Sequence, residues 1–439
     1  MIDVSLETPL NIRRFQRKLY TKAKREPSYR FYCLYDKICR EDILAHAYEM
    51  AKANGGAPGM DRESFDSIES RGRGRWLAAV RKDLIEQTYR PEPVRRVMIP
   101  KPGGGERPLG IPNIRDRVVQ TATKLVIEPI FEADLEPNAY GYRPKRSARD
   151  AVQKVHQLLR VGYTDVVDAD LSKYFDTIPH AELLNSVARR IVDRCMLRLI
   201  KMWLTAPVMQ QGEEGTWQNT GRNRKGTPQG GVISPLLANL YMNRFLKYWR
   251  LQGKGEEWRA EIVAYADDFV ILSRGNAADA RMWTQKVMAR IGLTLNEQKT
   301  SIRDARTEHF DFLGYTFGPQ YWWKTGRKFL AAQPSKKSLK RLRTSVYELL
   351  RPHDTRPWEL VRADLNARLR GWQNYFSYGA VARSYATLNR YVYDRVRYFL
   401  RRRHTTTHSR GTRQFSDDVV FGRLGVYSLR PHGGPCVCT

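Results

Sequence analysis

The sequence predicts an α+β protein that ends in a purely helical region. As far as about residue 330, short strand-like segments alternate with helical ones. Beyond Ser335 the apolar residues recur only at steps of three or four, most clearly in the series Val381, Tyr385, Leu388, Val392, Val396 and Phe399. We therefore expect a mixed core and a second, helical domain that starts near residue 330.

The first part of the chain is predicted to be helical and basic. Residues 11–53 have this pattern with aromatic side chains interleaved, and the pattern ends at the breaker Gly-Gly-Ala-Pro-Gly. A second helix is expected over residues 75–87. Residues 95–99 and 106–111 then favour a hairpin around a Gly-rich turn. The apolar spacing after the hairpin predicts another helix, through Val119, Ala122, Val126 and Ile130.

The middle of the chain continues this alternation. We expect a strand at residues 165–169, a helix near residues 180–190, a helix that opens at Ser234, and a pair of strands on either side of Asp267 and Asp268. Ser234 followed by Pro235 is typical of an N-cap and a first helical residue. These elements predict the α+β core.

The net charge indicates a polyanionic partner. The chain has 76 Lys and Arg against 46 Asp and Glu, a formal charge of +30, which exceeds what solubility requires. Nucleic acid is the first candidate, and a membrane surface is the alternative. Because the sequence has no apolar run of about 18 residues and no signal-peptide segment at its start, we expect no membrane partner and a cytoplasmic location.

The cysteines do not predict a disulfide framework or a zinc site. The chain has five of them, scattered and without paired Cys-x-x-Cys spacing, so we expect free thiols. Cys436 and Cys438 could bind a metal, but a frayed tail is the simpler interpretation.

The C-terminal helical region is strongly basic. Between Ala331 and Arg410 it holds 18 Lys and Arg against five Asp and Glu. A solvated helix face is one explanation, and a nucleic-acid-binding surface is the other. The ratio is higher than solubility needs, which favours binding.

Acidic residues end two separate strand-like segments. Asp267 and Asp268 lie at the tip of a predicted hairpin, in EIVAYADDFVILSR, and Asp170 ends the segment DVVDADL. A turn can favour Asp through local hydrogen bonds alone. If the two strands are neighbours, however, the carboxylates would repel one another unless a cation intervenes, and hard oxygen ligands suit Mg²⁺.

This arrangement would suit nucleotidyl transfer. Two Mg²⁺ ions about 3.5 to 4 Å apart could activate a 3′-hydroxyl and stabilise the leaving pyrophosphate. Neighbouring residues on a strand point to opposite faces, so Asp268 is expected to be the weaker metal ligand of the hairpin pair.

The ordered motifs resemble the reverse transcriptases and maturases encoded by group II introns. The YADD box with Asp170 is similar to their catalytic triad. Further motifs occur in the family's order, from about Tyr20 to Gly425: NGGAPGMDRESF, KPGGGERPLGIPNIRDRVVQ, AYGYRPKRSARDAV, RKGTPQGGVISPLLANLYMN, LNEQKTSI and FDFLGYTF. The resemblance is to bacterial members without the C-terminal endonuclease, since only residues 416–439 follow Phe415.

The resemblance implies a right-hand polymerase with an antiparallel palm sheet flanked by helices and a separate helical thumb. It divides the chain into an N-terminal extension of the fingers (1–60), fingers and palm (61–330), a thumb or maturase domain (331–414) and a short tail (415–439). Aromatic residues of the thumb such as Trp372 and Phe376 could stack on bases, although helical spacing favours a core position for most of them.

The resemblance also assigns site residues. Asp170, Asp267 and Asp268 would be catalytic and hold two Mg²⁺ ions, which Mn²⁺ could replace. Lys299 would be a general acid, or simply a surface lysine. The residues implied to bind dNTPs are Lys101, Arg107, Phe175, Gln229 and Gly230, with Phe175 as a steric gate.

Purely structural explanations also exist for these residues. Lys101 and Arg107 could be a solvated hairpin tip, Gln229 and Gly230 a plain loop before a helix, and Phe175 a core residue. The residues that resemble a primer grip could equally form a strand and a bend: Phe312, Leu313 and Gly314.

The implied partners are an RNA template, a DNA or RNA primer, dNTPs and intron RNA. The resemblance therefore predicts an RNA-directed DNA polymerase that also assists splicing and retrohoming. Alternatives are a maturase that binds RNA without polymerising, and a domesticated reverse transcriptase in DNA repair or phage defence. Neither the cognate RNA, the priming mode nor the oligomeric state follows from the sequence.

Overall fold

A computed structural model describes residues 6–100, 105–212, 216–322, 324–403 and 414–431. It confirms the predicted class, with helices and sheets mixed through the first three quarters of the chain and helices alone from Lys336 onwards. No helix in these ranges is both long and apolar enough to cross a lipid bilayer. Cys33, Cys39 and Cys195 are free thiols, while Cys436 and Cys438 lie outside the described residues.

The N-terminal segment is a group of separate helices. Pro27 interrupts the helical pattern, because proline excludes the preceding residue from helical geometry; Glu26 accordingly has φ −122° and ψ 81°. Ile12 and Ile43 are fully buried in the same apolar cluster as the middle of the chain, so the segment packs as part of the core. The helices are α1 (Leu10–Arg25), α2 (Tyr35–Ile38), α3 (Glu41–Asn54), α4 (Phe65–Arg71) and α5 (Arg73–Ile85).

A four-stranded sheet, the fingers sheet, contains the predicted hairpin. Its strands are β1 (Val94–Pro100), β2 (Glu106–Ile111), β4 (Pro207–Gln211) and β5 (Trp217–Arg222). β1 pairs antiparallel with β2, and Pro100 faces Glu106 at the end next to the turn. β4 pairs parallel with β1 and antiparallel with β5. β4 and β5 had no predicted counterpart in the sequence.

The middle helices surround a second sheet. They are α6 (Ile114–Glu132), α7 (Ala148–Arg160), α8 (Tyr174–Thr177), α9 (His180–Ala188), α10 (Arg194–Leu204), α11 (Ser234–Leu251), α12 (Lys254–Glu257) and α13 (Ala277–Arg290). The N-cap prediction for Ser234 is wrong: Ile233 precedes the helix, no side chain caps it, and Ser234 is its first residue. Ser234 is buried instead beside the loop at Gly231.

The second sheet, the palm sheet, is antiparallel with the order β6-β7-β3-β8. Its strands are β3 (Asp165–Asp170), β6 (Ala260–Tyr265), β7 (Asp268–Ser273) and β8 (Ser301–Asp304). Side chains alternate across it. Val167 and Phe269 face the large apolar cluster with the helices, and Val166 and Val270 face a smaller cluster that includes the next sheet.

The third sheet connects the palm to the helical domain. It consists of β9 (Phe310–Phe312), β10 (Tyr315–Tyr321) and β11 (Lys328–Pro334). Ser335 then caps α14 (Lys336–Leu349) by accepting a hydrogen bond from the Ser338 backbone N–H. The domain continues with α15 (Trp358–Tyr375) and α16 (Ala382–Arg403), and it has an apolar core of its own.

Residues 415–431 pack against the helical domain. They form a short π-helical turn, Asp418–Arg423, and extended chain. Phe415, Val420, Val426 and Leu429 are buried in the core of the helices. The described part of the predicted tail is therefore integrated into the domain, because its apolar residues complete that core. The domain boundaries given above otherwise stay a prediction.

Candidate active site

The palm sheet brings Asp170 and Asp268 directly opposite each other. In the antiparallel pairing of β3 with β7, Asp170 is the register partner of Asp268. Alternation places both on the face that carries Val166 and Val270. Like charges opposite each other on a sheet are destabilising, so this position is costly for stability and requires a positive counterpart.

Asp267 lies in the turn between β6 and β7. Tyr265 pairs with Asp268, which leaves only Ala266 and Asp267 to reverse the chain. Ala266 adopts the left-handed conformation, with φ 59°, as a tight hairpin requires. The predicted hairpin with aspartates at its tip is therefore present, and its turn packs closely against Gly141, where a Cβ would approach the Ala266 nitrogen to 2.5 Å.

Burial and mutual repulsion raise the pKa values of Asp267 and Asp268. Burial is the first cause of the raised pKa of Asp268, about 7, and the charges of Asp168, Asp267 and Asp170 add to it. Burial also raises the pKa of Asp267; the nearby Arg107 opposes this and Asp170 adds to it. These carboxylates lie close enough together to repel one another.

Asp168 is a fourth acidic residue that the sequence analysis did not single out. It lies two positions before Asp170, on the same face of β3. Burial raises its pKa to about 6, Arg303 opposes the shift, and Asp311 and Asp170 increase it. The alternation of Asp168 and Asp170 in DVVDAD was the available signal.

Lys299 and Asn296 contact Asp170. The Lys299 Nζ lies 3.2 Å from Oδ2 of Asp170, and the Asn296 side chain donates to the same oxygen at 3.3 Å. The Asn296 backbone N–H also donates to the Asp170 carbonyl at 2.8 Å. Because the Lys299 side chain is 66% exposed, it can leave this ion pair at little cost.

The site has the ligand type that Mg²⁺ takes, without a complete protein cage. Across the described ranges, no group of three or more Asp, Glu, His or Cys side chains could hold a metal ion by itself. Mg²⁺ commonly binds through one or two carboxylates and completes its shell with water and substrate phosphates. The carboxylates of Asp170 and Asp267 lie close enough to repel each other, and Arg107 offsets this only in part. Their hard oxygen atoms suit such an ion.

Arg107 and Gln229 connect the fingers sheet to the palm. Arg107 on β2 donates through Nε to Oε1 of Gln229 at 2.7 Å. The amide nitrogen of Gln229 in turn donates to both carboxylate oxygens of Asp176, at 3.2 Å each. Asp176, which follows Phe175, had not been singled out from the sequence. Lys101 lies outside the described residues.

Gly230 is required where the loop meets β2. It has φ 112°, and a Cβ there would overlap the Gly110 carbonyl oxygen. The backbone N–H of Gly110 donates to the Gln229 carbonyl at 2.5 Å. The loop backbone therefore lies directly against β2 of the fingers sheet, and only glycine allows so close an approach.

Phe175 is buried and packs against Tyr142. It is 6% exposed, and its ring contacts Tyr142 edge to face at a centroid distance of 6.5 Å. Tyr142 itself, with φ 53°, has a pKa raised by burial and by Asp267. Phe175 is therefore a core residue that contacts Tyr142, a neighbour of Asp267.

Leu313 and Gly314 form a bend beside Asp268. Both have positive φ, 50° and 79°, and the nearby Leu313 backbone N–H opposes the rise that burial causes in the pKa of Asp268. Phe312 is 1% exposed and belongs to the apolar core. The bend, and not the Phe312 side chain, faces the site.

Comparison with protein families matches both parts of the chain. Residues 99–317 match the profile described as "Reverse transcriptase (RNA-dependent DNA polymerase)". Residues 339–415 match "Group II intron, maturase-specific domain". The first match contains all three candidate catalytic aspartates, and the second covers the helical domain.

Similar proteins include several from introns. Protein YkfC of Escherichia coli (strain K12) is 35% identical over 341 residues, which cover 69% of this chain and 87% of YkfC. Group II intron-encoded protein LtrA of Lactococcus lactis subsp. cremoris is 33% identical over 218 residues, 49% of this chain and 35% of LtrA. The putative COX1/OXI3 intron 1 protein of Saccharomyces cerevisiae is 28% identical over 326 residues, 62% of this chain and 38% of that protein. The aligned part thus spans less than two fifths of the length of LtrA and of the yeast protein.

A solved structure also matches. A chain of the "Partial Cas6-RT-Cas1--Cas2 complex" is 21% identical, covers 58% of this chain and 41% of that chain, and has a TM-score of 0.35, too low to support an argument from shape. The sequence matches alone carry the assignment. They identify an RNA-directed DNA polymerase domain followed by a maturase domain. The chain belongs to the group II intron-encoded reverse transcriptase and maturase family.

Proposed function

We propose that this chain extends a primer 3′-hydroxyl with dNTPs on an RNA template by a two-metal mechanism. The observation that carries the proposal is the pairing of Asp170 with Asp268, with Asp267 on the adjoining turn. Carboxylates that repel one another reduce stability, and a protein that only bound RNA would have no use for them. Their arrangement is useful where divalent cations meet phosphates.

Asp170, Asp267 and Asp268 would hold two Mg²⁺ ions, which Mn²⁺ could replace. When bound, such ions supply activation of the 3′-hydroxyl and stabilisation of the pyrophosphate. Asp268 contributes less to this role in our proposal, because burial raises its pKa to about 7 and so disfavours the charged form that a metal ligand needs. Asp170 and Asp267 are then the principal ligands.

Arg107, Gln229 and Gly230 would bind the incoming dNTP, together with Lys101. Arg107 is a fixed cation that can bind phosphate through two N–H groups, and it is exposed. Its hydrogen bond with Gln229 keeps both side chains at the same edge of the cleft. Phe175, buried against Tyr142, would exclude a 2′-hydroxyl because its ring cannot move away.

Lys299 would donate a proton to the departing pyrophosphate. Its ammonium group lies at the Asp170 carboxylate, close to where the phosphates would react, which is the position that a general acid needs. Leu313 and Gly314 would form the primer grip, since their bend has positive φ at both residues and the glycine permits a strand to approach the backbone closely. Phe312 would support this bend from the core.

The helical domain would bind the template and primer duplex and the RNA of a group II intron. Its excess of Lys and Arg over Asp and Glu supports contacts with phosphates. The curated relatives include a group II intron-encoded protein, which supports a role in splicing and retrohoming. A maturase without polymerase activity is the competing function.

Primer extension tests the proposal. Purified protein is given an RNA template with an annealed DNA primer, dNTPs and Mg²⁺, and Asp267→Ala is compared with the wild type. We expect DNA product from the wild type and at least a hundredfold less from the variant, with RNA affinity unchanged. Ser67→Ala is the control, because Ser67 lies in the first turn of α4 and is distant in sequence from the three aspartates. RNA binding by both proteins without product from either would contradict polymerase activity and favour the binding-only function.

A further inference from the structure

A chain of side-chain hydrogen bonds runs from Asp176 in the palm to Arg107 in the fingers sheet. The Gln229 amide nitrogen donates to both carboxylate oxygens of Asp176, at 3.2 Å each. The Gln229 amide oxygen accepts from Nε of Arg107 at 2.7 Å. Gln229 therefore connects a residue of α8 with a residue of β2 through the opposite ends of one amide group.

The chemistry of the two partners allows only one orientation of this amide. An ionised carboxylate can only accept hydrogen bonds, and a guanidinium can only donate them. If the amide were rotated by half a turn, its oxygen would face Asp176 and its nitrogen would face Arg107, so the hydrogen bonds to both partners would be lost. Asp176 therefore determines which end of the Gln229 amide is presented to Arg107.

Backbone contacts hold the two palm segments together next to this amide. The Thr227 N–H donates to the Phe175 carbonyl at 2.7 Å. Gly226 has φ 81°, and a Cβ there would lie 2.5 Å from the Phe175 carbonyl oxygen. The loop before Gln229 is therefore packed backbone to backbone against the segment that carries Asp176. The two side chains can meet without the ordering of a separate loop.

The hydrogen bond on the fingers side leaves the ends of the Arg107 guanidinium available. Because the bond to Gln229 uses Nε, both terminal nitrogens can still donate to a phosphate. Arg107 is exposed, and a long side chain of this kind adopts many rotamers unless a contact restrains it. The bond at Nε is such a restraint, and it exists only while the Gln229 amide oxygen faces β2.

We infer that Asp176 is a positioning residue for nucleotide binding: its carboxylate fixes the Gln229 amide, and the amide oxygen then holds Arg107 with its terminal nitrogens available to the triphosphate. The inference rests on the proposed function, in which Arg107 and Gln229 bind the incoming dNTP. Asp176 acts through Gln229 and does not touch the nucleotide, since a carboxylate repels phosphates. Its effect should therefore appear in dNTP binding and not in the chemical step.

A direct electrostatic effect of Asp176 predicts the opposite result. An acidic side chain near a triphosphate site lowers the affinity for phosphates, so its removal should strengthen dNTP binding. If Asp176 positions Gln229, its removal should weaken dNTP binding instead. The sign of the change in KM therefore separates the two roles.

The test is steady-state single-nucleotide extension by the full chain on an RNA template, with the dNTP concentration varied. For Asp176→Ala we expect the KM for dNTP to rise about fivefold, the usual effect of losing one hydrogen bond, with kcat within about twofold of the wild type. Asp176→Asn keeps an oxygen that can accept from Gln229, so its KM should lie between those two values. Because Asp176 is exposed, both variants should keep the wild-type Tm and the wild-type Kd for the duplex.

Two further comparisons isolate the connection. Asp279→Ala is the matched control, because Asp279 is likewise an exposed acidic residue in the first turn of a helix, α13, and its KM should be that of the wild type. In a Gln229→Ala background, Asp176→Ala should no longer change KM, since the amide that transmits the effect is absent.

Three results would overturn the inference. They are an unchanged or lower KM in Asp176→Ala, a loss confined to kcat, and an undiminished effect of Asp176→Ala in the Gln229→Ala background. Absence of product from the wild type would instead refute the proposed function, so the two failures are distinguishable.

Discussion

At the residue scale, the palm places acidic groups where they cost stability. Asp170 and Asp268 face each other across two strands, and Asp168 lies beside them with a pKa raised to about 6 by burial. Apolar residues could have filled these positions, as Val166 and Val270 do on the same face of the sheet. Folding alone therefore does not explain the acidic residues, whereas the metal-ligand role that we propose for them does.

A buried carboxyl outside the palm should also contribute to the pH dependence of stability. Asp116 on α6 is 2% exposed and accepts hydrogen bonds from the Tyr89 hydroxyl and the Glu92 N–H. Burial raises its pKa to about 7. Because the folded state holds this proton more tightly than the unfolded state, the stabilisation is complete below about pH 4 and is lost as the pH rises through 7.

Asp116→Asn should remove this part of the pH dependence. We expect the Tm of the wild type, relative to the variant, to decrease as the pH rises from 4 to 8. Thermal unfolding at a series of pH values measures the difference, with the exposed Asp279→Asn as the control. Parallel Tm curves for the wild type and Asp116→Asn would contradict the prediction.

At the element scale, side-chain amides attach residues 425–430 to the helices. Asn389 on α16 donates to the Leu429 carbonyl and accepts from its N–H, at 2.9 Å each. Asn366 on α15 likewise donates to the Gly425 carbonyl at 2.8 Å and accepts from the Tyr427 N–H at 2.7 Å. The two amide side chains thus bond to the backbone of this segment as a neighbouring strand would. Leu429 is buried in the core of the helical domain.

Asn389→Ala should loosen this attachment. Removal of the paired hydrogen bonds should destabilise the helical domain by about 2 kcal/mol. Hydrogen exchange at the Leu429 amide should become faster and the Tm should fall by a few degrees. Asn374→Ala, an exposed residue of α15, provides the comparison. Unchanged exchange at Leu429 in Asn389→Ala would show that the apolar contacts alone hold the segment.

At the scale of the whole molecule, charge and aromatic residues combine on α14. Lys336, Lys340 and Arg343 line a groove with Tyr347 and Tyr391, and the Arg343 guanidinium stacks over the Tyr391 ring at 4.5 Å. Such a surface can contact phosphates and bases together. It belongs to the domain that we propose for duplex and intron RNA.

Lys336→Ala combined with Lys340→Ala should weaken nucleic-acid binding and change its salt dependence. A lysine that neutralises one phosphate contributes about one to the slope of log Kd against log salt, so the double variant should have a slope smaller by about two. Fluorescence anisotropy at several salt concentrations measures the slope. Lys201→Ala with Lys286→Ala, on α10 and α13, changes the net charge equally and should keep the wild-type slope. Equal slopes in the two double variants would indicate only a long-range charge effect.

Much of the architecture followed from local patterns. The hairpin around Asp267, the helices from Ser335 onwards and the order of the family motifs are properties of short segments, since side-chain periodicity and turn chemistry act over a few residues. The interruption at Pro27 also had a local signal. The strands β4, β5 and β10 had weaker patterns, because β4 has only five residues, the edge strand β5 is largely polar, and Gly318 and Pro319 interrupt β10.

The sequence by itself determined which residues could do the chemistry: acidic residues at strand ends, glycines in the loop at Gly230 and a basic helical domain. Only the tertiary structure decided which of them meet. The pairing of Asp170 with Asp268, the contact of Lys299 with Asp170 and the hydrogen bond from the Tyr375 hydroxyl to the Leu313 carbonyl join segments far apart in the chain. Register between distant strands depends on the packing of the entire core, which no local pattern contains.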